Sequence, residues 1–262
     1  MNYSYEFGNL YYEKYGSGKK SMIILPGWGD IRTSWNYIID FLKDDFTVYI
    51  VDYPGFGNSK FPDKDLTIYD YTDIIYNWIQ SLEIKNPILI GHSFGGRIII
   101  TLTGYYHYPF KHIVLMDSAG IKPRKTLRSI LRNNIYKTLK KGCYLLPKKY
   151  REKYLAKIFS IFASPDYRNL EDKMRPTFRN VISEDLRHYL EKINANTLII
   201  WGNKDTSTPI QDATFMHQKI AGSELIVLDK VGHFPYLERP NLICNILYEQ
   251  FKEFIIEEKN RL

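Results

Sequence analysis

The sequence of 262 residues is long enough for one substantial α/β domain with its own core. Hydrophobic residues at 44% and charged residues at 25% exclude a disordered or low-complexity chain. The net charge of +7 is concentrated, since residues 121–190 hold 18 Lys and Arg against 6 Asp and Glu; no motif of a nucleic-acid-binding module accompanies that surplus, so no nucleic-acid partner is expected.

Residues 2–16 carry short aromatic and β-branched runs broken at Gly8-Asn9 and at Gly16-Ser17-Gly18, the pattern of an antiparallel hairpin at a sheet edge. The first seven residues have neither a basic nor an apolar targeting region, and no stretch reaches a membrane-spanning length. No stable membrane insertion is therefore expected, and the expected location is cytoplasmic. Ser21-Met22-Ile23-Ile24-Leu25 is the short, nearly all-apolar run of a strand covered on both faces, ending at Pro26-Gly27-Trp28-Gly29-Asp30. Helical spacing follows over 31–42, a strand over 46–51, a helix over 66–82, and strands over 88–90 and 111–116. Such alternation implies a mostly parallel sheet with right-handed helical crossovers.

Within this series, Pro87 to Ile100 runs from an apolar strand through Gly91-His92-Ser93-Phe94-Gly95 directly into an apolar helix. A turn this tight strains its apex residue, and glycines stand where a Cβ would collide with the neighbouring strand or helix. Ser93 is thereby presented at the tip, the arrangement of a nucleophile elbow.

The strand signal then stops. Residues 123–189 show only helical stripes: Leu127, Leu131, Ile135 and Leu139; Tyr150, Tyr154, Ile158 and Phe162; Phe178, Ile182, Leu186 and Tyr189. Ser164-Pro165-Asp166 supplies a break with a Ser cap. The basic surplus falls on the faces opposite these stripes, so residues 121–190 are expected to form a helical lid packed over the sheet, inserted between the core portions 1–120 and 191–262. A helix lying on a membrane surface is the minor alternative.

The α/β pattern resumes with a strand over 197–201 ending at Gly202-Asn203-Lys204-Asp205, a helix over 210–220, a last strand over 224–228 closing on Val231-Gly232-His233-Phe234, and a final helix over 240–257. The expected fold class is α/β, with an eight-stranded, mostly parallel sheet flanked by helices. Ser93, Asp205 and His233 each follow the carboxyl end of a predicted parallel strand, where open α/β sheets place their sites. A serine hydroxyl is a weak nucleophile until an imidazole takes its proton, and that imidazole needs a carboxylate to fix its tautomer. Asp117, just after the strand at 111–116, is a rival for the acid. His92 is expected to pack under the elbow, and His107, His112, His188 and His217 lack any motif. Cys143 and Cys244 lie far apart and match no metal or redox spacing. No cofactor and no metal are expected.

Five motifs in order give the chain a resemblance to the α/β-hydrolase fold superfamily: Leu25-Pro26-Gly27-Trp28-Gly29, Asp52-Tyr53-Pro54-Gly55-Phe56-Gly57-Asn58-Ser59, Gly91-His92-Ser93-Phe94-Gly95-Gly96, Trp201-Gly202-Asn203-Lys204-Asp205-Thr206-Ser207-Thr208-Pro209, and Gly232-His233-Phe234-Pro235-Tyr236-Leu237-Glu238-Arg239-Pro240. The resemblance implies Ser93 as nucleophile, His233 as general base and then acid, and Asp205 as the orienting acid. Pro26 departs from the histidine that many members carry before the glycine, which touches the packing of that loop. Backbone N–H groups of Phe94 and Trp28 are the expected oxyanion donors, with Gly27 the neighbouring candidate. The expected activity is cleavage of a carboxylic ester through an acyl-enzyme intermediate, with a small-molecule acyl substrate as partner, by a monomer or homodimer. Carbon-carbon bond or thioester hydrolysis, or a ligand sensor that retains the triad, are the alternatives.

Overall fold

The computed structural model of the chain describes residues 1–6, 8–122, 127–162, 167–168 and 170–259. Eight strands form one sheet in the order β1-β2-β4-β3-β5-β6-β7-β8. The hairpin β1 (Asn2–Tyr5) and β2 (Gly8–Tyr15) is antiparallel and lies at the edge, with β2 also antiparallel to β4. The other strands run parallel: β3 (Ser21–Leu25), β4 (Thr47–Asp52), β5 (Ile88–His92), β6 (His112–Met116), β7 (Asn196–Gly202) and β8 (Glu224–Leu228).

The unbroken apolar runs are explained by burial on both faces. Every residue of β3, β4 and β5 is buried. Alternate side chains feed two cores. Ile23, Leu25, Leu89, Leu115, Ile199 and Trp201 pack on one side against helices α2 (Ile68–Ser81), α3 (Phe94–Tyr105) and α8 (Ile210–Lys219). Met22, Ile24, Ile88, Ile90, Val114 and Ile200 pack on the other against α1 (Asn36–Leu42) and α9 (Pro240–Lys259).

Two predicted helices start later than their periodicity suggests. Residues 32–35 form a 3-10 turn before α1, because Asp30 accepts from Ser34 Oγ (2.6 Å) and Trp35 Nε1 (3.0 Å) and winds the entry tighter. Helix α2 begins at Ile68, since Thr67 Oγ1 accepts from Asp70 N while Asp70 accepts from Thr67 N in a capping box.

The segment 121–190 divides in two. Helices α4 (Leu127–Cys143) and α5 (Lys148–Phe162) pair with each other, and α5 buries no residue. The expectation that their stripes pack on the sheet is not met: Leu131, Ile135, Leu139, Tyr150 and Tyr154 all stand exposed. Ser164-Pro165-Asp166 and the side chain of Leu127 lie outside the described residues. From Glu171 onward the segment does pack. Helices α6 (Arg175–Ser183) and α7 (Arg187–Leu190) bury Thr177, Phe178, Val181, Tyr189 and Leu190, and Leu186 between them is buried as well.

Candidate active site

Strand register sets the site. His92 pairs with Met116, Met116 with Ile200 and Ile200 with Ile226, so β5 to β8 end close to one level and their following loops share one rim of the sheet.

At the end of β5, Ser93 holds φ 48° and ψ −106°, a conformation that costs an L-residue on the order of 1–3 kcal/mol. Its own backbone secures it: Ser93 N donates to Met116 O (3.1 Å), and Ser93 O accepts from Ala119 N (2.9 Å). The flanking glycines are demanded by space. A Cβ on Gly95 would stand 1.8 Å from Leu25 O, and one on Gly91 would stand 2.7 Å from the Gly95 carbonyl carbon. Gly95 N meanwhile donates to Pro26 O at 3.0 Å, binding the elbow to the loop after β3.

His233 Nδ1 and Asp205 Oδ2 lie 2.7 Å apart. A carboxylate only accepts, so Nδ1 carries a proton, and in the neutral imidazole this leaves the lone pair on Nε2, the form that can act as a base. Asp205 also accepts from Ser207 N (2.7 Å), Thr208 N (3.0 Å) and Thr208 Oγ1 (2.5 Å). Burial acts to raise the Asp205 pKa, but the bonds from His233 and Thr208 outweigh it and hold the carboxyl down at about 2. Asp205 therefore stays ionised. No hydrogen bond joins Ser93 Oγ to His233 among the described residues; in ligand-free sites such contacts often tighten only when substrate binds.

His92 does pack beneath the elbow. Its Nε2–H donates to His233 O at 2.7 Å, and its ring contacts those of Trp35, His233, Phe234 and Tyr236. Burial, and then the nearby His233, push its pKa down to about 3, so it is a neutral strut for the His233 loop. A second strut comes from the Gly-Trp-Gly-Asp turn, where Asp30 Oδ2 accepts from Tyr236 OH at 2.6 Å and Tyr236 stacks on Trp35 at 4.0 Å.

Asp117, the rival acid, is fully buried; its Oδ1 accepts from Gly202 N (3.0 Å), while Oδ2 has no hydrogen-bond partner. Burial, opposed by the Gly202 N–H and aided by the Asp205 charge, pushes its pKa up to about 9, so it is protonated at neutral pH. Asp117, Asp205 and His233 bring ligating atoms within 4.8 Å of one another. Two of these atoms, Asp205 Oδ2 and His233 Nδ1, are bonded to each other.

Phe94, the first residue of α3, and Trp28 donate their N–H groups to no acceptor among the described residues. The Trp28 ring meets Phe94 at 5.0 Å, Phe56 at 4.9 Å and Phe178 at 5.2 Å, all edge-on, so an aromatic wall stands beside the elbow. Phe178 comes from α6. The inserted segment is fastened there by Arg97, a buried residue of α3 whose Nη2 donates to Val181 O (2.8 Å) and to Glu184 O, and by Leu66 N donating to Thr177 Oγ1 at 3.1 Å. Burial lowers the Arg97 pKa to about 10, which leaves it charged at neutral pH.

Arg97, Thr208 and Phe178 are neighbours of the candidate site that its motifs do not point to. A signal existed for two of them. Arg97 is the one cation within the apolar run from Phe94 to Ile100, and an arginine in a buried helix must find acceptors. Thr208 lies three residues after Asp205, the spacing at which a short hydroxyl turns back onto a carboxylate. Phe178 had only its place in a stripe.

The model of the alpha/beta hydrolase family matches residues 22–245. A pimeloyl-acyl-carrier-protein methyl ester esterase from Wigglesworthia glossinidia brevipalpis is 29% identical over 259 residues, covering 91% of this chain and 96% of that protein. A karrikin insensitive 2 receptor from Petunia hybrida is 22% identical, covering 88% and 90%. Among solved structures, an esterase from Exiguobacterium antarcticum superposes with a TM-score of 0.71 at 25% identity, covering 94% of this chain and 96% of its own.

Proposed function

Since the chain belongs to the alpha/beta hydrolase family, we propose that it is a serine hydrolase cleaving a carboxylic ester through an acyl-enzyme intermediate, with Ser93, His233 and Asp205 as its triad. The observation that carries this reading is the 2.7 Å hydrogen bond between His233 Nδ1 and Asp205 Oδ2, made on the same rim of the sheet as the strained Ser93. The esterase names of the Wigglesworthia and Exiguobacterium proteins support ester cleavage.

In this reading Ser93 Oγ adds to the ester carbonyl as its proton passes to His233 Nε2, and the ionised Asp205 stabilises the imidazolium so formed. Negative charge collects on the former carbonyl oxygen, where the unengaged N–H groups of Phe94 and Trp28 receive it, each worth about 3–4 kcal/mol of barrier. The imidazolium returns the proton to the departing alcohol, leaving an acyl-Ser93 ester. Water, deprotonated by His233, then releases the acid and restores the serine. The rings of Trp28, Phe94 and Phe178 form an apolar wall for the acyl group.

Hydrolysis of short p-nitrophenyl esters tests this. Ser93→Ala is expected to abolish turnover, and activity persisting in that variant would refute the reading. A second reading, in which the same groups hold or slowly consume a small apolar ligand for signalling, draws on the receptor name of the Petunia relative. Turnover above about one per second on a metabolite ester argues against it.

A further inference from the structure

The hairpin of α4 and α5 is strongly basic and bears an apolar tip. Residues 127–162 contain ten Lys and Arg against the single acid Glu152. The connecting turn, 144–147, is Tyr144-Leu145-Leu146-Pro147, and it is well built: Tyr144 N, Leu145 N and Leu146 N donate back to Lys141, Gly142 and Cys143 carbonyls, while Arg151 Nη2 donates to Tyr144 O (3.1 Å) and Leu146 O (3.3 Å). Cys143 is buried beneath it. This ordered turn holds Leu145 89% exposed, with Tyr144 and Tyr150 also exposed beside it. Lys140, Lys141, Lys148 and Lys149, all exposed, surround the tip.

We propose that this tip is a peripheral docking element for a membrane surface rich in anionic phospholipid, with Tyr144 and Leu145 entering the headgroup layer and the four lysines meeting lipid phosphates. Three features select that occupant. A convex apolar tip offers no groove to a folded partner, whereas a headgroup layer deforms around it. Tyrosine is the side chain that rests at an apolar-to-polar boundary, and lysines reach outward from such a boundary to phosphate. Two copies of the hairpin facing each other would oppose like charges, so self-association through it is disfavoured. No described helix is long and apolar enough to cross a membrane, so the contact is peripheral. The element is separate from the strand-end site, and the inference does not rest on the proposed chemistry there.

Co-sedimentation of the full chain with vesicles tests the inference, comparing phosphatidylcholine alone with phosphatidylcholine containing about one third phosphatidylglycerol. Binding is expected to the anionic vesicles only, and to fall at least about tenfold between roughly 0.05 M and 0.5 M salt. The double variant Lys140→Glu/Lys149→Glu is expected to lower partition by at least about tenfold, and Leu145→Ser by about fivefold. Both variants alter exposed positions, so unchanged helical circular dichroism separates lost docking from lost folding. Equal binding to neutral vesicles, insensitivity to salt, or variants that partition like the parent would overturn the inference. So would capture by an acidic protein, or a concentration-dependent dimer, without vesicle binding.

Discussion

The two halves of the inserted segment 121–190 look alike in sequence and behave oppositely in the fold. Helices α4 and α5 pair with each other and leave most of their apolar stripes exposed, with Phe159 of α5 meeting only the edge of the other half at Tyr167 and Arg175, whereas α6 and α7 bury Phe178, Val181, Tyr189 and Leu190 against the core. The difference comes from what the core extends to meet them. Toward α6 it offers the Trp28 ring, the Leu66 N–H and the Arg97 guanidinium. Toward α4 and α5 it offers no comparable bond among the described residues. An amphipathic stripe therefore names the face that seeks cover without naming what covers it.

If the buried half shapes the site and the exposed half does not, substitutions should separate them. Phe178→Ala removes a buried ring from both the core and the aromatic wall, and is expected to cost about 3–5 kcal/mol in chemical denaturation and to lower kcat/KM on aryl esters. Intact stability and rate would mean that α6 is not part of the wall.

Arg97→Gln removes the charge that holds two carbonyls of the buried half. A loss of about 1.5–3 kcal/mol is expected, with KM rising more than kcat falls, since Arg97 lies outside the proposed triad.

Asp117, where the chain leaves β6 toward this segment, gives a contrast in sign. Its pKa is raised by burial from 3.8 to about 9, so its protonated form is favoured on folding. That contribution is complete below about pH 4 and is lost as pH rises toward 9. Asp117→Asn mimics the protonated group, and is therefore expected to stabilise the fold on the order of 1–3 kcal/mol at pH 8 and little at pH 4, with ester turnover retained. Loss of turnover comparable to that of Asp205→Asn, expected near 10⁴-fold, would make Asp117 the working acid instead.

At the small end, Ile135→Ser and Leu139→Ser on the exposed half should change the unfolding free energy by less than about 0.5 kcal/mol and leave soluble-ester kinetics unchanged. A large loss would show that the hairpin has a buried partner after all.

These contrasts also mark how far the sequence could be read. The elbow was legible because its requirement is local: Gly91 and Gly95 are spaced by covalent geometry, and a Cβ at either meets backbone. His233 and Asp205 were legible because strand ends in a parallel sheet share one rim, so three loops far apart in sequence are forced together. Position along a strand did not tell Asp117 from Asp205. That distinction comes from the environment, with four donors on one carboxylate and a single backbone donor on the other, which is buried beside the charge of the first. The aromatic wall was illegible for the same reason as the hairpin, because Phe178 and Leu139 occupy equivalent stripe positions and only the tertiary partner differs.

The most direct test of the proposed chemistry is covalent labelling with an alkyl fluorophosphonate, followed by peptide mass spectrometry. A single phosphonyl adduct on the peptide containing Ser93 is expected, absent in Ser93→Ala and strongly slowed in His233→Ala. No adduct on the folded protein, or one on another serine with Ser93 untouched, would contradict the assignment of Ser93 as nucleophile.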